Sequence, residues 1–231
     1  MTTRYAVYFA PDRHARWREF GATWLGRDEH DSRPLPQPML EAISPASLAQ
    51  ITQEPARYGF HATLKAPFEL APGFTEADLS RRLKTLATRL HPVALGSLRV
   101  TTLGNFVALT PAVEPEGLQV LAAACVTELD DLRAPLRQAE RQRRLGSHLD
   151  QREVELLDLH GYPHVMDRFR FHMTLTGPVS PAVARNVAEA LTGQVAQLNA
   201  VEPLCLDRLC LFVEPTPGAF FYRILDLKLH A

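Results

Sequence analysis

Apolar positions along this chain recur on two periods, and the change from one to the other marks its elements. Arg4 to Ala10 is a continuous aromatic and aliphatic run that stops at Pro11, which predicts a buried strand. Trp17, Phe20, Trp24 and Leu25 return on the helical period and end at Gly26, predicting a helix with Asp12 as candidate cap. From Arg27 to Gln37 the composition turns polar and proline-rich, as expected of a loop that is either a connector or a lid. Ser44 before Pro45 predicts a short helix to about Thr52. Leu79, Leu83, Leu86 and Leu90 form a helical stripe with Thr75 as its N-cap, and strands follow over 94–101 and 106–110, joined around Gly104-Asn105.

Residues 116–168 read as largely helical, with a stripe of Leu118, Leu121, Ala122, Cys125 and Leu129 continued by Val154, Leu156 and Leu157. Ser180-Pro181 opens a helix through Val183, Val187 and Leu191, and two strands follow over 204–214 and 220–229, joined around Pro217-Gly218. The order of strand, helix and hairpin thus occurs twice, and each copy begins on nearly the same word: FHATLKAP from Phe60 and FHMTLTGP from Phe171. This predicts a single domain over 1–231. An N-terminal lobe motif around 58–111 and a C-terminal one around 170–229 flank the helical connection 116–168. The expected fold class is α+β: a bilobal, pseudo-two-fold duplicated unit of antiparallel strands with helices outside and the active-site cleft between the lobes.

Alternate side chains of a strand share a face, so His61, Thr63 and Lys65 point one way, as do Arg170, His172, Thr174 and Thr176. Burying such rows without partners costs several kcal/mol, so they are expected to face a polar cleft. Two imidazoles meeting there can act as base and acid on a phosphodiester, with the Thr63 and Thr174 hydroxyls donating to its non-bridging oxygens. This chemistry needs no metal and no cofactor. A lone strand histidine is commonly structural, and it is the matched pair that makes His61 and His172 catalytic candidates. Lys65 and Arg170 are candidates for substrate binding, with a solvent-exposed strand-end lysine as the alternative for Lys65. Arg137, Arg141, Arg143 and Arg144 read as a solvated face or a polyanion site. Tyr5, Tyr8, Tyr58 and Tyr222 can stack a base but commonly serve a core. Asp130-Asp131 and Glu153/Glu155 read as surface charge, and His160 and His164, separated by Gly161-Tyr162-Pro163, do not form a helical metal pair.

A formal net charge of −1 over 231 residues argues against DNA or an anionic membrane as partner, leaves RNA a secondary candidate, and favours a small phosphorylated substrate met by local charge. Three cysteines without paired spacing read as reduced core residues. With no apolar leader segment and no window near the ~20 apolar residues of a membrane span, a cytoplasmic protein is expected.

The paired words HATL and HMTL resemble the His-x-Thr signature of the 2H phosphoesterase superfamily, and RYAVYFAP, WLGRD and RYGFHATLKAPF look like a branch of uncharacterised bacterial proteins associated with phosphonate breakdown. The resemblance implies catalysis by His61 and His172 and phosphate contact by Thr63 and Thr174. The implied activity is metal-independent hydrolysis of a small cyclic phosphodiester, a ribose or nucleoside cyclic phosphate. The alternatives are RNA end processing by the same residues, as in a 2′-5′ ligase, or a non-catalytic binder of a phosphorylated nucleotide or sugar.

Overall fold

The computed structural model of the chain describes residues 2–146 and 149–230. From the N-terminus, β1 (Arg4–Phe9) leads to α1 (Arg16–Leu25), α2 (Pro45–Ala56), β2 (Ala62–Phe68) and α3 (Glu76–Ala87). The short β3 (Val93–Ala94) precedes the hairpin of β4 (Leu98–Leu103) and β5 (Phe106–Pro111), and then come α4 (Leu118–Thr127), α5 (Gln138–Leu145) and α6 (Gln151–His160). β6 (Met173–Thr174), α7 (Pro181–Val201), the short β7 (Cys205–Leu206) and the hairpin of β8 (Arg208–Glu214) and β9 (Tyr222–Lys228) follow.

Seven strands form one antiparallel sheet in the order β4-β5-β6-β2-β1-β8-β9, while β3 and β7 pair separately. β1 lies inside the sheet, which is why its sequence is apolar on both faces. Val7 and Phe9 join Leu64, Met173 and Leu211 in the main core, where α1, α3, α4 and α7 pack. Ala6, Tyr8 and Ala10 join Cys210, Phe212 and Phe221 on the other face.

This single sheet replaces the expected bilobal, pseudo-two-fold arrangement with a cleft between lobes. β2 and β6, which carry the two similar words, are neighbours paired antiparallel at Ala62 and Met173. The physical reason is edge satisfaction: unpaired strand edges in separate lobes would leave backbone N–H and C=O groups open, and joining them in one sheet pairs those groups. The hydrophobic pattern carries no record of which edges meet.

Smaller differences have local causes. Asp12 accepts the His14 N–H at 2.9 Å instead of capping α1, whose N-cap is Ala15. α2 runs on to Ala56, beyond Thr52. Thr75 does cap α3, in a reciprocal box with Asp78. The 27–37 loop is a fastened connector: Arg27, Asp28 and Glu29 are buried, and the Arg27 guanidinium donates to the carbonyls of Ala56, Arg57 and Phe221. All three cysteines are free, Cys125 and Cys210 buried. None of the described helices is long and apolar enough to cross a membrane.

Candidate functional site

His61 is positioned by the residues just before it. Phe60 lays its ring on Gly21 of α1, where an added Cβ would come within 1.9 Å of it, and meets Phe20 edge to face at 6.0 Å. That anchor lies on the main-core side, so the neighbouring imidazole emerges on the opposite face. There it stacks on Tyr8, ring centroids 3.8 Å apart and planes at 27°. Its Nδ1–H donates to the Gly59 carbonyl at 2.9 Å, and its Nε2 lies 3.3 Å from Thr63 Oγ1. Gly59 has φ +80°, and a Cβ there would stand 2.8 Å from Glu29 Cβ.

His172 uses the same device: its Nδ1–H donates to the Arg170 carbonyl at 2.8 Å, and Phe106 lies beside its ring at 5.8 Å. A carbonyl only accepts, so each neutral imidazole carries its proton on Nδ1 and leaves Nε2 as a base. Continuing the register of Ala62 with Met173 sets His61 opposite Thr174 and Thr63 opposite His172. The quartet thus arises from two antiparallel neighbours, each contributing one imidazole and one hydroxyl.

A cleft of about 380 Å³ opens over this face, with Tyr8, Tyr58, His61, Thr63 and Thr174 in its wall and Arg4, Arg143, Arg144 and His164 also lining it. His172 stands beside this cleft, near enough for its charge to act on His61 and for that of His164 to act on it. Burial pushes the His61 pKa down to about 4 against the opposing Gly59 hydrogen bond, and the His172 charge adds to the depression. Burial also lowers His172, opposed by the Arg170 carbonyl and helped by His164. At neutral pH both rings are therefore uncharged proton acceptors.

Other residues of the two words are drawn elsewhere. Between the pairs Val7–Lys65 and Tyr8–Thr63 the register slips by one residue, leaving Leu64 extra. The bulge breaks the alternation, so Lys65 leaves the Thr63 face. It is buried, with Nζ donating to Val126 O at 3.1 Å and Asp130 Oδ1 at 2.9 Å. Asp130 is accordingly no mere surface charge: it also accepts from Arg133 at 3.0 Å and faces His160 at 3.7 Å. Thr176 is fully buried, accepting from Val107 N and donating to Gly177 O. Arg170 is exposed and lines a separate groove with Arg99 and Thr110.

His164, Tyr8 and Tyr58 are the site residues that sequence reasoning left unassigned. The pattern held one usable signal for Tyr8, its place on the strand face opposite Val7 and Phe9. Tyr5 faces the other way, its hydroxyl donating to Glu76 at 3.1 Å. Among the described residues no group of three or more His, Cys, Asp or Glu side chains could hold a metal ion.

The model of the family described as "Protein of unknown function (DUF1045)" matches residues 63–222. Two curated relatives carry the name ribose 1,5-bisphosphate phosphokinase PhnN. The protein from Janthinobacterium sp. (strain Marseille) is 37% identical over 222 residues, covering 95% of this chain and 49% of the relative. The protein from Laribacter hongkongensis (strain HLHK9) is 38% identical over 218 residues, covering 94% and 50% respectively. The chain therefore spans about half the length of the curated relatives it matches. These matches overturn the resemblance to 2H phosphoesterases and, with it, cyclic phosphodiester hydrolysis, a cyclic phosphate substrate and the RNA alternative. The relatives' name is that of a phosphotransferase acting on ribose 1,5-bisphosphate. The resemblance rested on a few short words whose Thr and Leu suit many strands, whereas the identity extends over nearly the whole chain.

Proposed function

This chain belongs to the family described as protein of unknown function (DUF1045), and from that premise we propose that its histidine cleft binds a phosphorylated ribose and serves phosphoryl transfer on it. The observation that carries the reading is the pair of imidazoles with Nδ1 tied to a carbonyl and Nε2 left as a base, set beside two threonine hydroxyls. The sugar phosphate is taken from the name of the relatives, a protein twice as long, and is proposed here for this half.

Phosphoryl transfer is catalysed chiefly by positioning and by stabilising charge on the equatorial oxygens. The Thr63 and Thr174 hydroxyls donate hydrogen bonds to those oxygens, Thr63 turning from His61 Nε2, 3.3 Å away, and so freeing that nitrogen. His61, uncharged because burial holds it to about 4, accepts at Nε2 the proton of a ribose hydroxyl as that oxygen bonds the phosphorus of a phosphoanhydride donor supplied from outside this chain. The donor's P–O bond breaks and its diphosphate leaves as the anion, while His172 accepts a hydrogen bond from the sugar. Such general-base help contributes about 10²–10⁴ in rate. The sequence holds no Gly-x4-Gly-Lys-Ser/Thr run, so the chain is assigned the sugar phosphate and its proton transfers and no nucleotide site of that kind.

Calorimetric titration of the purified chain with ribose 1,5-bisphosphate tests the reading. Saturable binding that weakens about tenfold in both His61→Gln and His172→Gln is expected. Absence of binding, unchanged affinity in both variants, or hydrolysis of a ribose cyclic phosphate without affinity for the bisphosphate would overturn it.

A further inference from the structure

The run of arginines in and around α5 is split by the fold. Arg141 turns away to make a two-pronged pair with Asp158, at 2.6 and 2.8 Å. Arg137 and Arg143 instead line a second recess of about 750 Å³ together with Arg4 and Arg57. Arg4, Tyr58 and Arg143 line both this recess and the histidine cleft, so the two adjoin, with Tyr58 in the wall of each.

The charges in the outer recess do not cancel. Four guanidinium groups face two lining carboxylates, Glu69 and Glu140. Counting Glu214 as well, buried behind Arg4 and Arg57 and bridging them, still leaves one positive charge in excess. Arg143 is the most available of the four: its pair with Glu140 is long at 3.6 Å, and 72% of its side chain is exposed. The inner cleft shares Arg4 and Arg143 with the recess and adds Arg144, while the threonine hydroxyls and the His61 imidazole belong to it alone and suit a group undergoing reaction. Guanidinium forks suit a phosphate that is only held.

Resting on the phosphoribose reading, we infer that the outer recess is the subsite that holds a second phosphate, through Arg143 and Arg4, and that these two residues set the preference for a bisphosphate over a monophosphate. Tyr58, shared by both recesses, lies where the sugar crosses from one to the other. Glu140, beside Arg143, Arg144 and Arg4, limits the positive potential of the groove.

The test titrates the unmodified chain, Arg143→Gln and Glu140→Gln with ribose 1,5-bisphosphate and with ribose 5-phosphate. The unmodified chain should prefer the bisphosphate about tenfold, Arg143→Gln should erase most of that preference, and Glu140→Gln should enlarge it. Equal loss for both ligands in Arg143→Gln, or no loss for either, would overturn the inference. Equal affinity of the unmodified chain for both sugars, still dependent on His61 and His172, would remove the second phosphate and leave the phosphoribose site standing. Failure to bind either sugar would remove both.

Discussion

Tyr8 lies nearly flat against His61, ring centroids 3.8 Å apart, so the imidazole that opens onto the cleft is backed by an aromatic wall that excludes water. Its low pKa, about 4, follows first from this burial. Tyr8→Phe keeps the wall and should leave the His61 titration where it is. Tyr8→Ala opens the wall to water and should move it toward 6.5, as read from the imidazole proton shifts in a pH series. A His61 titration near 6.5 in the unmodified protein would contradict the burial argument.

The same depression sets an acid limit on stability. The unfolded chain protonates His61 near 6.5 and the folded chain near 4, so between these values the unfolded state binds more protons. The stabilisation is complete above about pH 6.5 and is lost as the pH falls through about 4, on the order of 3 kcal/mol less whatever water recovers. His172 moves in the same direction. Urea midpoints at pH 7 and pH 4.5 should differ more in the unmodified protein than in His61→Gln.

Gly59 holds His61 through its carbonyl, and its φ of +80° and the 2.8 Å approach of an added Cβ to Glu29 Cβ leave no room for a side chain. Gly59→Ala should cost about 2 kcal/mol of stability and displace the acceptor of Nδ1. Chemical denaturation measures the first effect, and the His61 titration, freed from that hydrogen bond, measures the second.

Lys65 gives the opposite pattern. Its ammonium is buried against Val126 O and Asp130, so Lys65→Met should lower stability by about 2 kcal/mol without weakening ligand binding. The cost stays below that of breaking a fully buried pair, because Arg133 still holds Asp130 at 3.0 Å. Loss of ligand affinity at full stability would return Lys65 to the site.

The contrast between Lys65 and Thr63 marks the limit of reading this sequence. Local signals were legible: the Thr75 cap, the Gly104 and Pro217-Gly218 turns, the leucine stripe of α3, and the face shared by His61 and Thr63. A period of two cannot reveal the extra residue at Leu64, because a bulge is fixed by the partner strand, so Lys65 was placed on the wrong face. The pairing of β2 with β6 depends on hydrogen-bond edges rather than on side chains, and so the sequence predicts two words facing each other across a cleft between lobes, whereas they lie side by side in one sheet. Arg143 stayed undecided for a related reason: a helical face is readable, but what it overlooks is set by tertiary contacts.

Proton uptake on binding tests the central claim most directly, since two uncharged imidazoles beside a phosphate must gain proton affinity when the anion arrives. Calorimetry with ribose 1,5-bisphosphate in buffers of different ionisation enthalpy should show partial uptake at pH 6 that falls in His61→Gln and in His172→Gln, and none at pH 8, where both rings stay uncharged in the complex and His61 is free to act as the base. Binding with no proton exchange at pH 6, or uptake there unchanged in both variants, would contradict it.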